Sequence, residues 1–200
     1  MKKIIIASIA TFVLSSCTLF PKNTDDNLNL SVSPTSNMVP VTSVNTQSPS
    51  TTSKAGDTVV ALKTKDGQIV IKLFSKETPN TIKTFMGKVS SGFYNGLTFH
   101  RVIDGFMAQG GDPTGTGTGG GSQKSEINSI PFVRGSLGLA RTPVTKDISN
   151  DSQFFICFTT DGCQHLTGDY VNFGQVISGL DVLDKIRQGD KILEITANTK

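Results

Sequence analysis

Eight short runs in the C-terminal three quarters of the chain alternate apolar and polar positions or are rich in β-branched and aromatic residues. "TVVALKT" (58–64) and "QIVIKLF" (68–74) come first, with Asp66-Gly67 between them. Glycine accepts the positive φ of a tight primed turn, so this pair predicts a β-hairpin. "LTFHRVI", "FMAQGG", "SLGLA", "QFFICF" and "VNFGQVI" follow, punctuated by Gly, Pro and Asn, and "KILEIT" reads as a closing strand. Two stretches have a helical period instead. In "TPNTIKTFMGKVSSG", Thr78 suits a cap and Pro79 the first helical position. Ile82, Phe85, Met86 and Val89 then share a face, and Gly92 stops the helix. "GLDVLDKIRQG" predicts a second short helix. Many short strands with two helices argue against alternating βαβ units and for an antiparallel barrel or sandwich.

The N-terminal part has no such pattern. Lys2 and Lys3 precede an apolar run of 11 residues, Ile4 to Leu14. That fits a secretory signal and falls well short of the ~20 residues needed to span a bilayer. The run ends Leu14-Ser15-Ser16-Cys17, which resembles the lipobox of bacterial lipoproteins. The resemblance implies removal of residues 1–16 and acylation of Cys17. Thr18 rather than aspartate follows, which by the same analogy implies the outer membrane, with the domain in the periplasm or at the surface. Residues 18–55 are dominated by Ser, Thr, Asn and Pro without apolar period, and read as a disordered tether. Residues 56–200 then make one domain of common size.

Charge adds little: 19 Lys and Arg against 16 Asp and Glu give +3, without a basic cluster. A nucleic-acid partner has no footprint. Besides Cys17 there are Cys157 and Cys163, whose short separation permits a bridge in an oxidising compartment without demanding one. No metal-like Cys/His cluster appears, and no cofactor is expected.

Residues 110–121, "GGDPTGTGTGGG", contain G-x-G-x-x-G at Gly115, Gly117 and Gly120. A phosphate loop needs a helix directly after it, and "SQKSEINSIPF" has no helical period. The run reads better as an irregular loop, either a connector or the wall of a groove. The surrounding residues decide. "GLTFHRVIDGFMAQGGDPTGTGTGG" (96–120) resembles the signature of the cyclophilin family of peptidyl-prolyl cis/trans isomerases. The similarity continues through "GSLGLAR" (135–141), "SQFFI" (152–156), "YVNFGQVISGLDVLDKI" (170–186) and "TPNTIKTF" (78–85). It implies a mainly β fold, an eight-stranded antiparallel closed β-barrel capped by two α-helices. It also implies an enzyme acting on proline-containing polypeptides, here unfolded or newly exported ones.

Rotation about an X-Pro amide breaks no bond, so neither a nucleophile nor a metal is needed. By position in the motif, Arg101 is the catalytic donor, aimed at the amide as it twists. Phe106, Met107, Phe155 and Leu166 line the proline pocket. Gln109 and Gln153 hydrogen-bond substrate backbone or orient Arg101. In "QFFICF" a strand sends Phe154 and Phe155 to opposite faces, and the resemblance selects Phe155 for the groove. Main chain at Ala140 and Arg141 pairs with the extended peptide, and Gly117 sits on the rim. His100 reads as a structural hydrogen-bonding residue, because rotation transfers no proton. Asp104 and Asp112 read as turn residues. An alternative is a proline-peptide binding module on an anchored lipoprotein, using the same pocket with little turnover; a scaffold for surface adhesion is a third.

Two positions depart from the best-known eukaryotic pattern: His165 stands where they carry tryptophan, and Tyr170 where they carry histidine. The segment between Ala140 and Ser152 is also less standard. Cyclosporin A binding leans on the tryptophan, so inhibition of this chain is expected to be weak. Inhibition at nanomolar concentration in a titration would overturn that expectation.

Overall fold

The computed structural model describes residues 58–197. The signal, the Cys17 anchor and the tether over residues 18–55 lie outside the described residues. Among those described, no helix is long and apolar enough to cross a membrane.

The hairpin forms as its sequence predicts. Strands β1 (Val59–Thr64) and β2 (Gly67–Leu73) pair with Thr64 opposite Gly67, which makes Lys65-Asp66 the two-residue loop. Gly67, at φ 136°, also leaves room for Val182, which an added Cβ would meet at 2.9 Å. Helix α1 (Pro79–Ser90) buries Ile82, Phe85 and Val89, and Phe85 lies against Phe154 and Phe173. Its first turn is capped from a distance. The Glu126 carboxylate accepts hydrogen bonds from the backbone N–H of Asn80 (3.1 Å) and Thr81 (2.8 Å) and from the Asn80 side chain. Thr78, the residue suited to cap, instead donates its hydroxyl to the Phe74 carbonyl.

The remaining strands are β3 (Arg101–Ile103), β4 (Met107–Gly110), β5 (Ser122–Lys124), β6 (Ser136–Leu139), β7 (Ile148–Asn150), β8 (Phe154–Cys157), β9 (Asn172–Ser178) and β10 (Glu194–Ala197). Eight of the ten form one curled antiparallel sheet in the order β10-β1-β2-β9-β6-β8-β4-β3. These eight are the predicted strands.

Closure, however, is incomplete. The edge strands β3 and β10 do not pair with each other, so the sheet is a half-barrel. Irregular segments just before them stitch the gap, through Thr98 opposite Lys191 and bonds such as Ile192 N–H to the Leu97 carbonyl. The run "LTFHRVI" therefore becomes a strand only at its end.

The predicted second helix shrinks to one turn, α3 (Leu180–Leu183), because Arg187 folds back to donate to the carbonyls of Asp184 and Ile186. A further short turn, α2 (Thr160–Cys163), continues as a 3-10 turn over Gln164–Leu166. Strands β5 and β7 form a separate polar ribbon that no pattern predicted.

The concave face of the sheet holds the main core, in which Leu62, Ile69, Phe99, Leu137, Phe154 and Phe173 are fully buried.

Removing the remote cap tests how α1 is held. Glu126→Ala is expected to lower unfolding stability by about 1–2 kcal/mol, the usual effect of losing a helix cap. Urea unfolding at pH 7 measures it. An unchanged midpoint would show that solvent caps the helix equally well.

Candidate functional site

The alternation of β3, β4 and β8 creates two apolar regions back to back. Val102, Ala108, Phe154 and Ile156 face the core. Their neighbours point the other way, because successive side chains on a strand alternate. Register then aligns them. Arg101 lies opposite Gln109, and Gln109 opposite Phe155, in one row across three strands. Met107, Phe132, Phe155, Cys157, Cys163 and Leu166 form a second buried cluster on this outer face. Gly138 makes room for it, since an added Cβ there would stand 2.3 Å from the Phe155 ring.

The cluster floors a cavity of about 210 Å³. Phe106, Met107, Phe155 and Leu166 supply its apolar surface. Tyr170 meets Phe155 edge to face at 5.8 Å, and the exposed His165 ring tilts against Phe106 at 5.7 Å. Arg101, Gln109, Ala140 and Arg141 complete the rim. Ten of the twelve residues expected at the site thus line one cavity. The other two, Gly117 and Gln153, line an adjoining groove of about 310 Å³ that shares Gln109, Ala140 and Arg141 with it. Thr142, Ile148 and Ser149, which sequence reading did not single out, form the groove's far wall. They come from the polar ribbon and its approach, which carry no apolar period.

Arg101 is exposed and makes no ion pair with a carboxylate among the described residues. It donates to Gln109 Oε1 at 3.3 Å and lies 3.8 Å from Met107 Sδ. Gln109 Nε2 donates to Gln153 Oε1 at 2.9 Å, and Gln153 Nε2 to the Gly119 carbonyl at 2.8 Å. The direction of this relay is forced. A guanidinium only donates and a carbonyl only accepts, so each amide has one orientation that satisfies both neighbours. Gln153 is 2 % exposed, and its backbone N–H donates to Asn150 Oδ1. Asn150 in turn donates to the same Gly119 carbonyl.

The glycine run is therefore part of the site's support. It folds around Asp112, which is 1 % exposed. Burial pushes its carboxyl up, but hydrogen bonds from the Thr114 N–H and hydroxyl and from the N–H groups of Gly119 and Gly117 outweigh this and hold it at about 2. Asp112 is a turn residue as expected, with the added task of closing the loop. Gly117, at φ 90°, lies over His100, whose ring an added Cβ would meet at 3.7 Å.

Two expectations change. Both ring nitrogens of His100 are buried without a hydrogen-bond partner, so the expected structural bond is not formed. Burial holds this imidazole below its ordinary value. The Ala140 N–H is already given to the Gln153 carbonyl, and the Ala140 carbonyl accepts from Asn150 N–H. The Ala140 N–H is thus occupied, which leaves the second lone pair of its carbonyl and the Arg141 main chain for an extended peptide. The Arg141 side chain is held over Tyr170 at 4.4 Å and donates to the Asp169 carbonyl. Cys157 and Cys163, left open by the sequence, are bridged, with Cα atoms 6.1 Å apart. Among the described residues no cluster of ligands could hold a metal ion.

Residues 59–199 match the family model described as cyclophilin type peptidyl-prolyl cis-trans isomerase. A peptidyl-prolyl cis-trans isomerase of Helicobacter pylori is 47 % identical over 137 residues, covering 66 % of this chain and 81 % of that protein. One from Synechococcus elongatus is 43 % identical over 142 residues, covering 69 % and 94 %. Among solved structures, a cyclophilin type isomerase of Cryptosporidium parvum superposes with a TM-score of 0.66 at 32 % identity, over 72 % of this chain and 99 % of that one. The same protein has also been crystallised in the presence of the dipeptide Ala-Pro.

The Asp112 carboxylate predicts a pH dependence. Its folded-state value lies below the ordinary 3.8, so its stabilisation is complete above pH 4 and is lost as pH falls from there through about 2. Urea unfolding across that window is expected to show about 2 kcal/mol more loss in wild type than in Asp112→Asn. Parallel pH profiles for the two proteins would remove Asp112 from this role.

Proposed function

This chain belongs to the cyclophilin-type peptidyl-prolyl cis-trans isomerases, and from that premise we propose that it turns X-Pro bonds of exported or unfolded polypeptides by a non-covalent mechanism centred on Arg101. The proline ring enters the 210 Å³ cavity against Phe106, Met107, Phe155 and Leu166. The Ala-Pro dipeptide used with the Cryptosporidium relative is the kind of ligand such a cavity takes.

The planar amide resists rotation by about 18–20 kcal/mol because its C–N bond is partly double. As it twists, resonance is lost and the nitrogen gains a lone pair. A fixed cationic donor beside that nitrogen binds the twisted amide more tightly than the planar one, and only such a difference accelerates the step. The observation that carries this reading is the Arg101 guanidinium at the cavity rim, oriented by Gln109 and paired with no carboxylate among the described residues. Gln109 and Gln153 act as its positioning relay.

Export and anchoring belong to the same reading. The signal pattern ending at Cys17, the tether over residues 18–55 and the Cys157–Cys163 bridge all fit an oxidising, extracytoplasmic compartment. A lipidated Cys17 holds the domain at the bacterial envelope, by the lipobox resemblance at the outer membrane. In the producing bacterium, Cys17→Ser is expected to move the protein from the membrane fraction to the soluble one. Unchanged membrane recovery would sink the anchor.

Exchange of an X-Pro peptide, followed by NMR without a coupled protease, tests the mechanism. With the purified full chain, Arg101→Ala is expected to lower kcat/KM at least about tenfold, or 1.4 kcal/mol of transition-state stabilisation, with peptide affinity little changed. A folded wild type without acceleration would support a proline-peptide binding module instead. An Arg101→Ala variant with full activity would remove the arginine from the mechanism.

A further inference from the structure

The bridge sits directly behind the cavity. Cys157 is on β8, two residues beyond Phe155 and on the same face of the strand. Cys163 ends α2, two residues before His165 and three before Leu166. The bond therefore links the strand bearing Phe155 to the turn bearing His165 and Leu166, all three of which line the cavity. Both cysteines are fully buried and pack with Met107, Phe132, Phe155 and Leu166.

Hydrogen bonds hold that turn at its two ends. Its start is tied down by the Thr159 hydroxyl, which donates to the Gly105 carbonyl, and by the Arg134 N–H, which donates to Thr160 Oγ1. Among the described residues, no hydrogen bond joins residues 161–166 to β8. Cys163 Sγ lies 3.5 Å from the Phe106 carbonyl, but a bridged sulfur carries no proton to donate. Its end is tied by the Leu166 carbonyl, which accepts from the Asp169 and Tyr170 N–H groups, and by Thr167 Oγ1, which accepts from the Phe132 N–H, so the bridge is what ties the His165–Leu166 wall directly to β8.

We propose that the Cys157–Cys163 bridge is a positioning strut of the isomerase site, fixing the width of the cavity between Phe155 and the His165–Leu166 turn. This rests on the reading that the cavity takes the proline ring. Arg101, Gln109 and Gln153 are held by their own relay and do not touch the bridge. With both sulfurs buried, a thiolate has no path to them in the folded domain, so the bond acts as a fixed strut and not a switch.

The strut has a kinetic signature. A slack wall weakens the grip on the ring equally in the planar and twisted states, which raises KM and leaves kcat alone. The test is the double variant Cys157→Ala/Cys163→Ala in the full chain, with X-Pro exchange by NMR line shape over a range of peptide concentrations. It is read at a temperature where circular dichroism shows the protein folded. KM is expected to rise about five- to tenfold with kcat within about twofold. A folded variant with wild-type KM, or one losing kcat alone, overturns the strut. Should the double variant not fold, Cys163→Ala alone is read in the same way. If that also fails to fold, the bridge serves the whole fold and the proposal falls. Phe155→Ala separates the two levels. If it too leaves KM unmoved, the cavity reading itself has failed; if it raises KM while loss of the bridge does not, only the strut is lost.

Discussion

The relay from Arg101 through Gln109 and Gln153 to the Gly119 carbonyl is the interaction on which the rest of the site depends. Arg101, Gln109 and Gly119 come from the consecutive β3, β4 and glycine run, while Gln153 enters from the start of β8, 44 residues beyond Gln109. Only a sheet in which β3, β4 and β8 are adjacent and in this register brings them into line. A shift of one residue in the β3–β4 pairing would turn Arg101 away from Gln109 and send Val102 to the outer face. The hydrophobic pattern prevents that slip, because Val102, Ala108, Phe154 and Ile156 must remain in the core. Packing on the concave side thus fixes the chemistry on the convex side.

The same logic explains the glycine run. Its far end must come close enough for the Gly119 carbonyl to accept from both Gln153 and Asn150. Asp112 draws the loop into that shape by accepting bonds from N–H groups along it, and a Cβ on Gly119 would stand 2.1 Å from the Asp112 carboxylate. Side chains there would push the loop away from Gln153 and release the end of the relay. The glycines allow close backbone approach, in service of a side-chain network and not of a phosphate.

Much of this was legible in the sequence, and what was missed has physical reasons. Strands with two-sided demands, such as "QFFICF", show their alternation plainly, and Phe154 and Phe155 do part to opposite faces. The eight sheet strands were readable because each buries apolar residues. The β5–β7 ribbon was not, because its six residues are mostly polar and gain their order from pairing. The second helix was overextended, since Ile186 continues the apolar period while Arg187 bonds back to the carbonyls that would prolong the coil. Closure was overestimated because alternation reports burial and not which edges meet. The bridge stayed open because spacing alone does not show that both cysteines point into one cluster.

The identity of the residue beside Arg101 carries one more step. A glutamate in place of Gln109 would hold the guanidinium more firmly, because a charge-assisted bond is stronger than a bond to a neutral amide. It would also cancel the charge. Under the proposed mechanism, in which the donor strengthens as a lone pair develops on nitrogen, the useful quantity is uncompensated positive potential at the cavity mouth, where low-dielectric walls enhance it. A neutral amide supplies direction without neutralisation, and one of its two N–H groups is given to Gln153. The whole relay is uncharged apart from the arginine at its head. That composition is what a fixed dipole chain needs if it is to hold a cation in place and leave its field intact.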